Sequence, residues 1–431
     1  MTKSTGLFLS IIAVCIALGP LAYGQGLTAA SPQSVGLSRQ RLDRITALMQ
    51  KQVDEQLLAG AVALVARNGK VAYLECVGLR DKERRAAMSP DTIFRIASMS
   101  KPITSVAAMM LYEEGHFQLK DPISKFIPEF KNPKVLVPGD DGAEDQLVPA
   151  SRAITIRHLL THTSGLTYQW DPRVGVKYSE AGITHGLLQD EDLLGDDMKK
   201  LAQLPLVHQP GEAWTYGLNT DVLGRLVEVV SGMSLDEFLR ARIFLPLGMN
   251  DTCFFLPMDK VSRIAAVYGP DSNGMLKRLD EGIISDGPLN KICVTYPYEG
   301  PRRYYSGGGG LCSTVLDYAR FAQMLLNGGE LDGVRLLSRK TVEWMTSDQV
   351  GGLKADSGFG LGFGVTRSLG EATELPSAGS YRWGGFWYTT FFVDPSEHML
   401  GVCMAQLYPS GKATLNDQFE PLARQAIVDS K

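Results

Sequence analysis

The sequence has little excess charge of either sign. Its 431 residues include 43 lysines and arginines and 47 acidic residues, so the formal net charge is −4. These charges are spread evenly along the chain, without the basic stretch that attracts nucleic acid or an anionic membrane surface. We therefore expect no nucleic-acid partner, and a small molecule as the ligand.

Cysteine is also scarce, and its spacing fits no familiar framework. Cys15 lies in an N-terminal apolar segment, which leaves an odd number downstream without a short repeated spacing. This pattern is typical neither of a disulfide-rich domain nor of a zinc site. We expect most of the downstream cysteines to be buried thiols, with room for one bridge. They are Cys76, Cys253, Cys293, Cys312 and Cys403.

Long apolar runs are missing outside the N-terminal segment. That segment has one cation, Lys3, an apolar run over residues 7–18, and small residues at Ala22 and Gly24. This order is typical of a secretory signal peptide, and the run is shorter than the roughly 20 residues of a transmembrane helix. We predict a cleavable signal peptide over residues 1–24 and a periplasmic or secreted protein without stable membrane insertion. An uncleaved signal that anchors the chain in the membrane is the alternative.

Motifs of three well-known enzyme classes are absent or incomplete. No Gly-x-Ser-x-Gly sequence occurs, which argues against an α/β-hydrolase triad. The glycine-rich stretch at residues 306–310 lacks the Gly-Lys-Ser/Thr of a phosphate loop, so we expect a tight backbone turn. His158 and His162 have the spacing of zinc ligands on a helix, but Leu159 stands where zinc proteases carry glutamate. We therefore predict no metal and no cofactor.

The periodicity of apolar residues predicts the order of the elements. Ser38 precedes apolar residues three to four positions apart, which favours a helix. Asn68-Gly69 joins two apolar runs and predicts an antiparallel hairpin, and strands return at residues 389–393 and 400–405. We predict a domain over residues 25–431: an α/β lobe from about 30–96 and 300–431, whose strands meet in one antiparallel sheet flanked by helices, and an inserted, mainly helical lobe over about 97–299.

The strongest candidate for chemistry is the pair Ser98 and Lys101, just before an apolar helical run. On a helix this spacing places the hydroxyl and the amine on one face, one turn apart. A lysine in that position can take the proton of the serine and so activate it as a nucleophile. Ser98 would also lie in the first turn of the helix, where free backbone N–H groups favour negative charge.

The surroundings of this pair resemble the serine β-lactamase superfamily, in particular its esterase-like branch near the class C β-lactamases. The resemblance spans nearly the whole chain after the signal peptide and rests on five blocks in order. They are Ser98-Met-Ser-Lys101, Ile156-Arg-His-Leu-Leu-Thr-His162-Thr-Ser-Gly165-Leu166, Pro210-Gly211-Glu-Ala-Trp214-Thr-Tyr216, Ser306-Gly-Gly-Gly-Gly310-Leu311 and Trp383-Gly384-Gly385. It implies a β-lactamase/penicillin-binding-protein transpeptidase-like fold, and it makes His158 and His162 structural residues.

The resemblance also implies a role for Tyr216, as the tyrosine of the Tyr-x-Asn motif that relays protons beside the Ser–Lys pair. A nearby cation stabilises the phenolate form that this role needs, and Lys101 is the candidate. The match is imperfect, because Leu218 occupies the position of the motif's asparagine and Asn219 is displaced by one residue. We therefore assign Asn219 no catalytic role.

Trp383-Gly384-Gly385 stands where β-lactamases carry Lys-Thr-Gly or a close variant. The resemblance places these residues on a strand beside the site, where the N–H of Phe386 could form an oxyanion hole with the N–H of Ser98. Tryptophan in place of the lysine removes a cation that helps to bind carboxylates and offers an apolar wall instead. Arg382 could partly replace that cation.

These features predict an exported serine hydrolase that forms an acyl-enzyme at Ser98. We favour a carboxylesterase that acts on short acyl esters, with acyl transfer to another acceptor as a variant of the same chemistry. A β-lactamase or D-alanyl-D-alanine carboxypeptidase is the alternative enzyme, with a β-lactam or peptide as substrate. A catalytically inactive ligand-binding or sensor protein is the alternative from another class. The sequence leaves the oligomeric state open.

Overall fold

The computed structural model describes residues 27–139, 145–279, 282–285, 287, 291–371 and 375–429. The predicted signal peptide and Cys15 lie outside these residues. No helix of the described part is long and apolar enough to cross a membrane. The five cysteines in the described part are all free thiols.

One large sheet brings the two ends of the chain together. Its strands are β1 (Thr28–Ala29), β2 (Gly60–Arg67), β3 (Lys70–Asp81), β4 (Ala86–Ala87), β15 (Gly358–Phe359), β16 (Gly364–Val365), β17 (Tyr381–Gly385), β18 (Thr389–Asp394) and β19 (Met399–Met404). They run in the order β1-β3-β2-β19-β18-β17-β16-β15, with β4 beside β3. All pairs are antiparallel except β1 with β3, which is parallel. The predicted sheet is thus confirmed, with one parallel edge pair.

The remaining strands form two-stranded ribbons along the middle of the chain. They are β5 (Phe94–Arg95) with β12 (Cys312–Ser313), β6 (Lys134–Val137) with β7 (Gln146–Pro149), β8 (Tyr268–Pro270) with β9 (Leu276–Arg278), β10 (Ile283–Ser285) with β11 (Lys291–Cys293), and β13 (Glu330–Leu331) with β14 (Val334–Arg335).

The helices include the two long ones that the sequence predicts. They are α1 (Arg39–Asp54), α2 (Ser100–Glu113), α3 (Ile156–Leu160), α4 (Gly175–Glu180), α5 (Leu194–Leu201), α6 (Asn219–Ser231), α7 (Leu235–Leu239), α8 (Leu245–Leu247), α9 (Val315–Leu326), α10 (Arg339–Met345) and α11 (Leu415–Gln425). A π-helical turn, Arg240–Phe244, joins α7 to α8. Short 3-10 turns occur at Pro32–Val35, Ala97–Met99, Ile123–Lys125, Pro128–Lys131, Val261–Arg263, Gly351–Leu353 and Leu369–Glu371.

Local signals in the sequence account for the first elements. The Ser38 hydroxyl accepts the N–H of Arg41 and so caps α1, as predicted. Asn68 and Gly69 have φ values of 55° and 72°, the left-handed turn that closes a two-residue hairpin. The hairpin is confirmed, and its second strand, β3, extends to Asp81.

The large sheet has a hydrophobic core on each face. All residues of the central strand β2 are buried, and successive side chains point to opposite faces. Leu64 belongs to the larger core, with residues of α2, α6 and α9, and Val65 to a second core with residues of α1 and α11. Helix α2 packs against α6 in the larger core, and this packing fixes the position of the residues at its N-terminal end.

Candidate active site

Ser98 lies in the tight turn Ala97–Met99, directly before α2, rather than in the first turn of that helix. Ala97 has a φ of 42°, a left-handed conformation that is costly for a residue with a Cβ atom. Ala97 and Met99 are buried, whereas Ser98 is partly exposed. The strained turn therefore presents the Ser98 hydroxyl at the surface of a buried helix end.

Lys101 and Tyr216 both donate a hydrogen bond to the hydroxyl of Ser98. Lys101 Nζ lies 3.2 Å from Ser98 Oγ, and the Tyr216 hydroxyl lies 2.6 Å from the same atom. Lys101 is 1% exposed, and its Nζ lies 4.6 Å from the centre of the Tyr216 ring. The three residues that the sequence predicts to act together are thus in contact. Lys101 Nζ and the Tyr216 hydroxyl both lie within hydrogen-bond distance of Ser98 Oγ, the predicted nucleophile.

The glycine-rich stretch at residues 306–310 contacts Lys101 through its backbone. Lys101 Nζ donates to the carbonyl oxygen of Gly308 at 2.7 Å. The buried carboxylate of Asp221 accepts the Ser306 hydroxyl at 2.6 Å and the Gly308 N–H at 3.4 Å. Burial raises the pKa of Asp221. The stretch is the tight turn predicted from its composition, and Asp221 links it to α6.

His162 and Asn219 pack behind Tyr216 and do not reach Ser98. Asn219 donates to His162 Nδ1 at 2.9 Å and accepts the hydroxyl of Ser164. The His162 ring lies 5.0 Å from the Tyr216 ring, and burial, together with the charge of Lys101, keeps the pKa of His162 well below its ordinary value. A neutral His162 therefore supports the phenol ring, in keeping with the structural role that the resemblance implies.

A close backbone approach brings Tyr216 next to a second tyrosine. A Cβ atom on Gly217 would lie 2.4 Å from the carbonyl oxygen of Leu166, so only glycine allows these two segments to pack. Tyr168 follows Leu166 closely, and its ring lies 5.5 Å from the Tyr216 ring. Burial, with Tyr216 and Asp221 nearby, raises the pKa of Tyr168 well above its ordinary value.

The end of β17 lies beside the turn that carries Ser98. A Cβ atom on Gly385 would lie 2.3 Å from the carbonyl oxygen of Ile96, so this glycine permits the strand to pass the turn closely. Trp383 forms an aromatic wall, with its ring 5.6 Å from Tyr216 and 5.3 Å from Phe359. Gly384 lies between Trp383 and Gly385 in β17.

A small pocket opens at Ser98. It has a volume of about 30 Å³, room for roughly two water-sized groups. Phe386 is part of its wall, so the residue predicted to supply an oxyanion N–H lies at the same pocket as Ser98. The other lining residues are Ala97, Tyr168, Trp170, His185, Leu187, Tyr216, Gly308 and Gly309.

Sequence reasoning missed Asp221 and Tyr168. Asp221 is a charged residue in the first turn of α6, directly before the buried pair Val222 and Leu223. A carboxylate in such an apolar stretch was a signal for a buried polar contact. Tyr168 has no comparable signal, because its proximity to Lys101, 5.6 Å from ring centre to Nζ, depends on the fold.

A sheet of this order, with a Ser-x-x-Lys pair at the head of a buried helix, defines a serine hydrolase of the β-lactamase and penicillin-binding-protein type. The chain belongs to the β-lactamase family, whose model matches residues 45–424. An esterase and a hydrolase with acyltransferase activity are among its relatives, and they place it in the esterase and acyltransferase branch of the serine β-lactamase superfamily, as the sequence predicts.

Esterase EstB of Burkholderia gladioli is 34% identical over 362 residues, which cover 81% of this chain and 86% of that protein. The structure of EstCE1, a hydrolase with promiscuous acyltransferase activity, is 27% identical with a TM-score of 0.76, and the match covers 90% of this chain and 99% of that one. A putative D-alanyl-D-alanine carboxypeptidase of Escherichia coli strain K12 is 28% identical over 423 residues, or 94% of this chain and 90% of that protein. The predicted family, fold and enzyme class are confirmed.

Proposed function

We propose that the protein is a carboxylesterase that acts on short acyl esters through an acyl-enzyme at Ser98. The observation that carries the proposal is the pair of hydrogen bonds on Ser98 Oγ, 3.2 Å from Lys101 and 2.6 Å from Tyr216. Two groups that can exchange protons are therefore within reach of the nucleophile before substrate binds.

In the proposed first step, the Lys101–Tyr216 pair starts with one proton fewer than an ammonium plus a phenol, and Ser98 Oγ bonds to the carbonyl carbon of the ester while its proton passes to that pair. The backbone N–H groups of Ser98 and Phe386 stabilise the oxyanion that forms. The carbon–oxygen bond to the alcohol then breaks, and the pair returns the proton to the leaving oxygen. In the second step water attacks the acyl-Ser98 carbonyl by the same route in reverse order, and Ser98 regains its proton.

The surroundings of Ser98 support an ester with a short acyl group. The pocket at Ser98 has room for only roughly two water-sized groups, as in an acetyl or slightly longer chain. Trp383 replaces the cation that β-lactamases use for substrate carboxylates, and its ring presents an apolar surface next to Tyr216. Esterase EstB, a relative at 34% identity, carries the same activity in its name.

We also propose that the chain is exported by the signal peptide predicted over residues 1–24. The mature domain would then begin near residue 25 and act in the periplasm or outside the cell. Its two lobes would keep the boundaries predicted from the sequence. The five cysteines of the described part are free thiols.

The first test compares p-nitrophenyl acetate and butyrate with the chromogenic cephalosporin nitrocefin, using the purified mature protein. Turnover of the esters without turnover of nitrocefin is the expected result. Replacement of Ser98 by alanine should abolish ester turnover and leave the circular dichroism spectrum unchanged. If the variant turned the esters over at the wild-type rate, Ser98 would not be the nucleophile.

Two other outcomes would redirect the proposal. A penicillin that forms a stable acyl-enzyme at Ser98 would favour the β-lactamase or D-alanyl-D-alanine carboxypeptidase alternative, which the E. coli relative represents by name. If no ester is turned over and a fluorophosphonate does not label Ser98, the results would favour the alternative of a catalytically inactive ligand-binding or sensor protein.

A further inference from the structure

A second and larger cleft has Trp383 in its wall, and it shares no lining residue with the pocket at Ser98 in the described part of the chain. Its volume is about 620 Å³, and Trp214, Trp383 and the end of β17 form part of its wall. Both tryptophan rings adjoin Tyr216, with ring centres 6.2 Å and 5.6 Å from its ring. The cleft therefore borders the group that donates a hydrogen bond to Ser98, and a substrate could extend from one site into the other.

Three basic side chains line this cleft, and two of them form ion pairs with carboxylates. Arg367 forms an ion pair with Asp348 at 2.9 Å, and Arg382 forms one with Glu420 at 3.2 Å. The third basic residue is Lys354. The lining carboxylates, Asp356 and Asp417, are both exposed to solvent.

Lys354 differs from the two arginines because it has no ion pair with a carboxylate in the described part of the chain. Its Nζ donates to the Ser357 hydroxyl at 2.6 Å and lies 5.2 Å from the centre of the Trp214 ring. The side chain is partly buried, and this burial lowers the pKa of Lys354. The cation thus loses part of its hydration, and the nearby carboxylate of Asp356 attracts it without an ion-pair contact.

We propose that Lys354 binds a carboxylate on the alcohol portion of the substrate, so that the enzyme favours esters of hydroxy acids with an apolar spacer. This inference rests on the proposed esterase function and assigns its substrate class. The small pocket at Ser98 takes the acyl group, and the 620 Å³ cleft takes the larger alcohol. Trp214 and Trp383 contact the spacer, and Lys354, fixed over Trp214, meets the anion at its far end.

The assignment explains how the site can recognise an anion without the lysine of the Lys-Thr-Gly motif. That lysine would stand at Trp383, in β17, whereas Lys354 lies in the loop before β15. The anion is therefore held beyond the tryptophan wall, farther from Ser98. A longer substrate is selected, and a compact β-lactam carboxylate is not.

The test uses two acetate esters that differ only in charge: 3-(4-acetoxyphenyl)propanoate and its neutral carboxamide. Both transfer the same acetyl group, so a difference in kcat/KM reports on binding of the alcohol portion. For the wild-type protein we expect kcat/KM to be about tenfold higher for the carboxylate, as for one charge-assisted contact. Added salt at about 0.5 M should reduce this ratio.

Lys354→Met should bring the ratio of the two kcat/KM values close to one, because methionine keeps an apolar stem on Trp214 without the charge. Lys340→Met is the matched control, since Lys340 lies exposed on α10 and is paired with Glu343. It should keep the wild-type ratio. A wild-type ratio of one or less, or equal ratios in the two variants, would overturn the assignment.

The same reagents separate failure of this inference from failure of the esterase proposal. Turnover of the carboxamide ester that is lost in Ser98→Ala reports on the esterase proposal alone. If neither ester is turned over, that proposal fails, and calorimetric titration of Ser98→Ala with 3-(4-hydroxyphenyl)propanoate decides the inference. Affinity about tenfold weaker after Lys354→Met, but not after Lys340→Met, supports the carboxylate site, and equal affinity excludes it.

Discussion

Removal of the Tyr216 hydroxyl group tests its role in proton transfer without changing the packing of the ring. Tyr216→Phe keeps the ring contacts with His162 and Trp383 but removes the donor 2.6 Å from Ser98. We expect kcat for p-nitrophenyl acetate to fall by about 10²–10⁴, the range for loss of a general acid–base group, with unchanged thermal stability.

Tyr381→Phe is a suitable control for this change. The Tyr381 hydroxyl is buried on β17 and has no hydrogen-bond partner among the described residues. Its removal should leave kcat unchanged and should not lower the melting temperature. If Tyr216→Phe were as active as Tyr381→Phe, the proton relay through Tyr216 would have to be abandoned.

The helix α5 carries a buried carboxylate that anchors one wall of the pocket at Ser98. Asp197 accepts the backbone N–H of Thr184 at 3.0 Å, just before His185 and Leu187 of that wall. Burial raises the pKa of Asp197 to about 7. In the unfolded chain Asp197 releases its proton near its ordinary pKa of 3.8, whereas in the folded protein it keeps the proton up to about pH 7. The contribution of Asp197 to stability therefore falls as the pH rises through about 4 to 7.

Asp197→Asn should remove this pH dependence because the amide does not ionise. We expect the stability of the variant relative to wild type to increase between pH 4 and pH 8, by at most ~4 kcal/mol, in urea unfolding at several pH values. Asp196→Asn, at an exposed position of the same helix, is the control and should change the free energy of unfolding little. A difference for Asp197→Asn that does not vary with pH would show that Asp197 is ionised in the folded state.

At the scale of the whole molecule, a buried ion network fastens the C-terminal helix to the central sheet. Arg424 of α11 pairs with Asp394 at the end of β18 and with Glu420 at 2.7 Å. Asp394 is fully buried, and the Arg424 guanidinium also lies over the Phe392 ring at 4.9 Å. Because β18 pairs with both β17 and β19, a loss here affects the strand beside Ser98 as well as the N-terminal hairpin.

Arg424→Met should destabilise the fold by about 3–5 kcal/mol, since it leaves the Asp394 charge buried without its partner. Arg44→Met, at an exposed position of α1, should change the free energy of unfolding little. The double variant Asp394→Asn with Arg424→Met should recover part of the loss. If urea unfolding gave equal midpoints for Arg424→Met and Arg44→Met, the network would contribute nothing to stability.

Features that depend on local spacing could be predicted from the sequence. The i, i+3 spacing of Ser98 and Lys101 places both groups on one side of a helical turn, wherever that turn lies. The cap at Ser38 and the Asn68-Gly69 turn likewise fix α1 and the β2–β3 hairpin through nearby backbone groups. The five ordered blocks then predicted the family and the fold, and both are confirmed.

The contacts between distant groups at the site depend on how the helices and strands pack. Tyr216 reaches Ser98 because α2 packs on α6 and because Gly217 lets its segment pass Leu166. Asp221 under Gly308, and Lys354 over Trp214, join residues that are far apart in sequence or whose contacts no local pattern encodes. Such contacts form when whole faces of helices and sheets become buried against each other. This burial depends on the folded chain and not on any short segment of it.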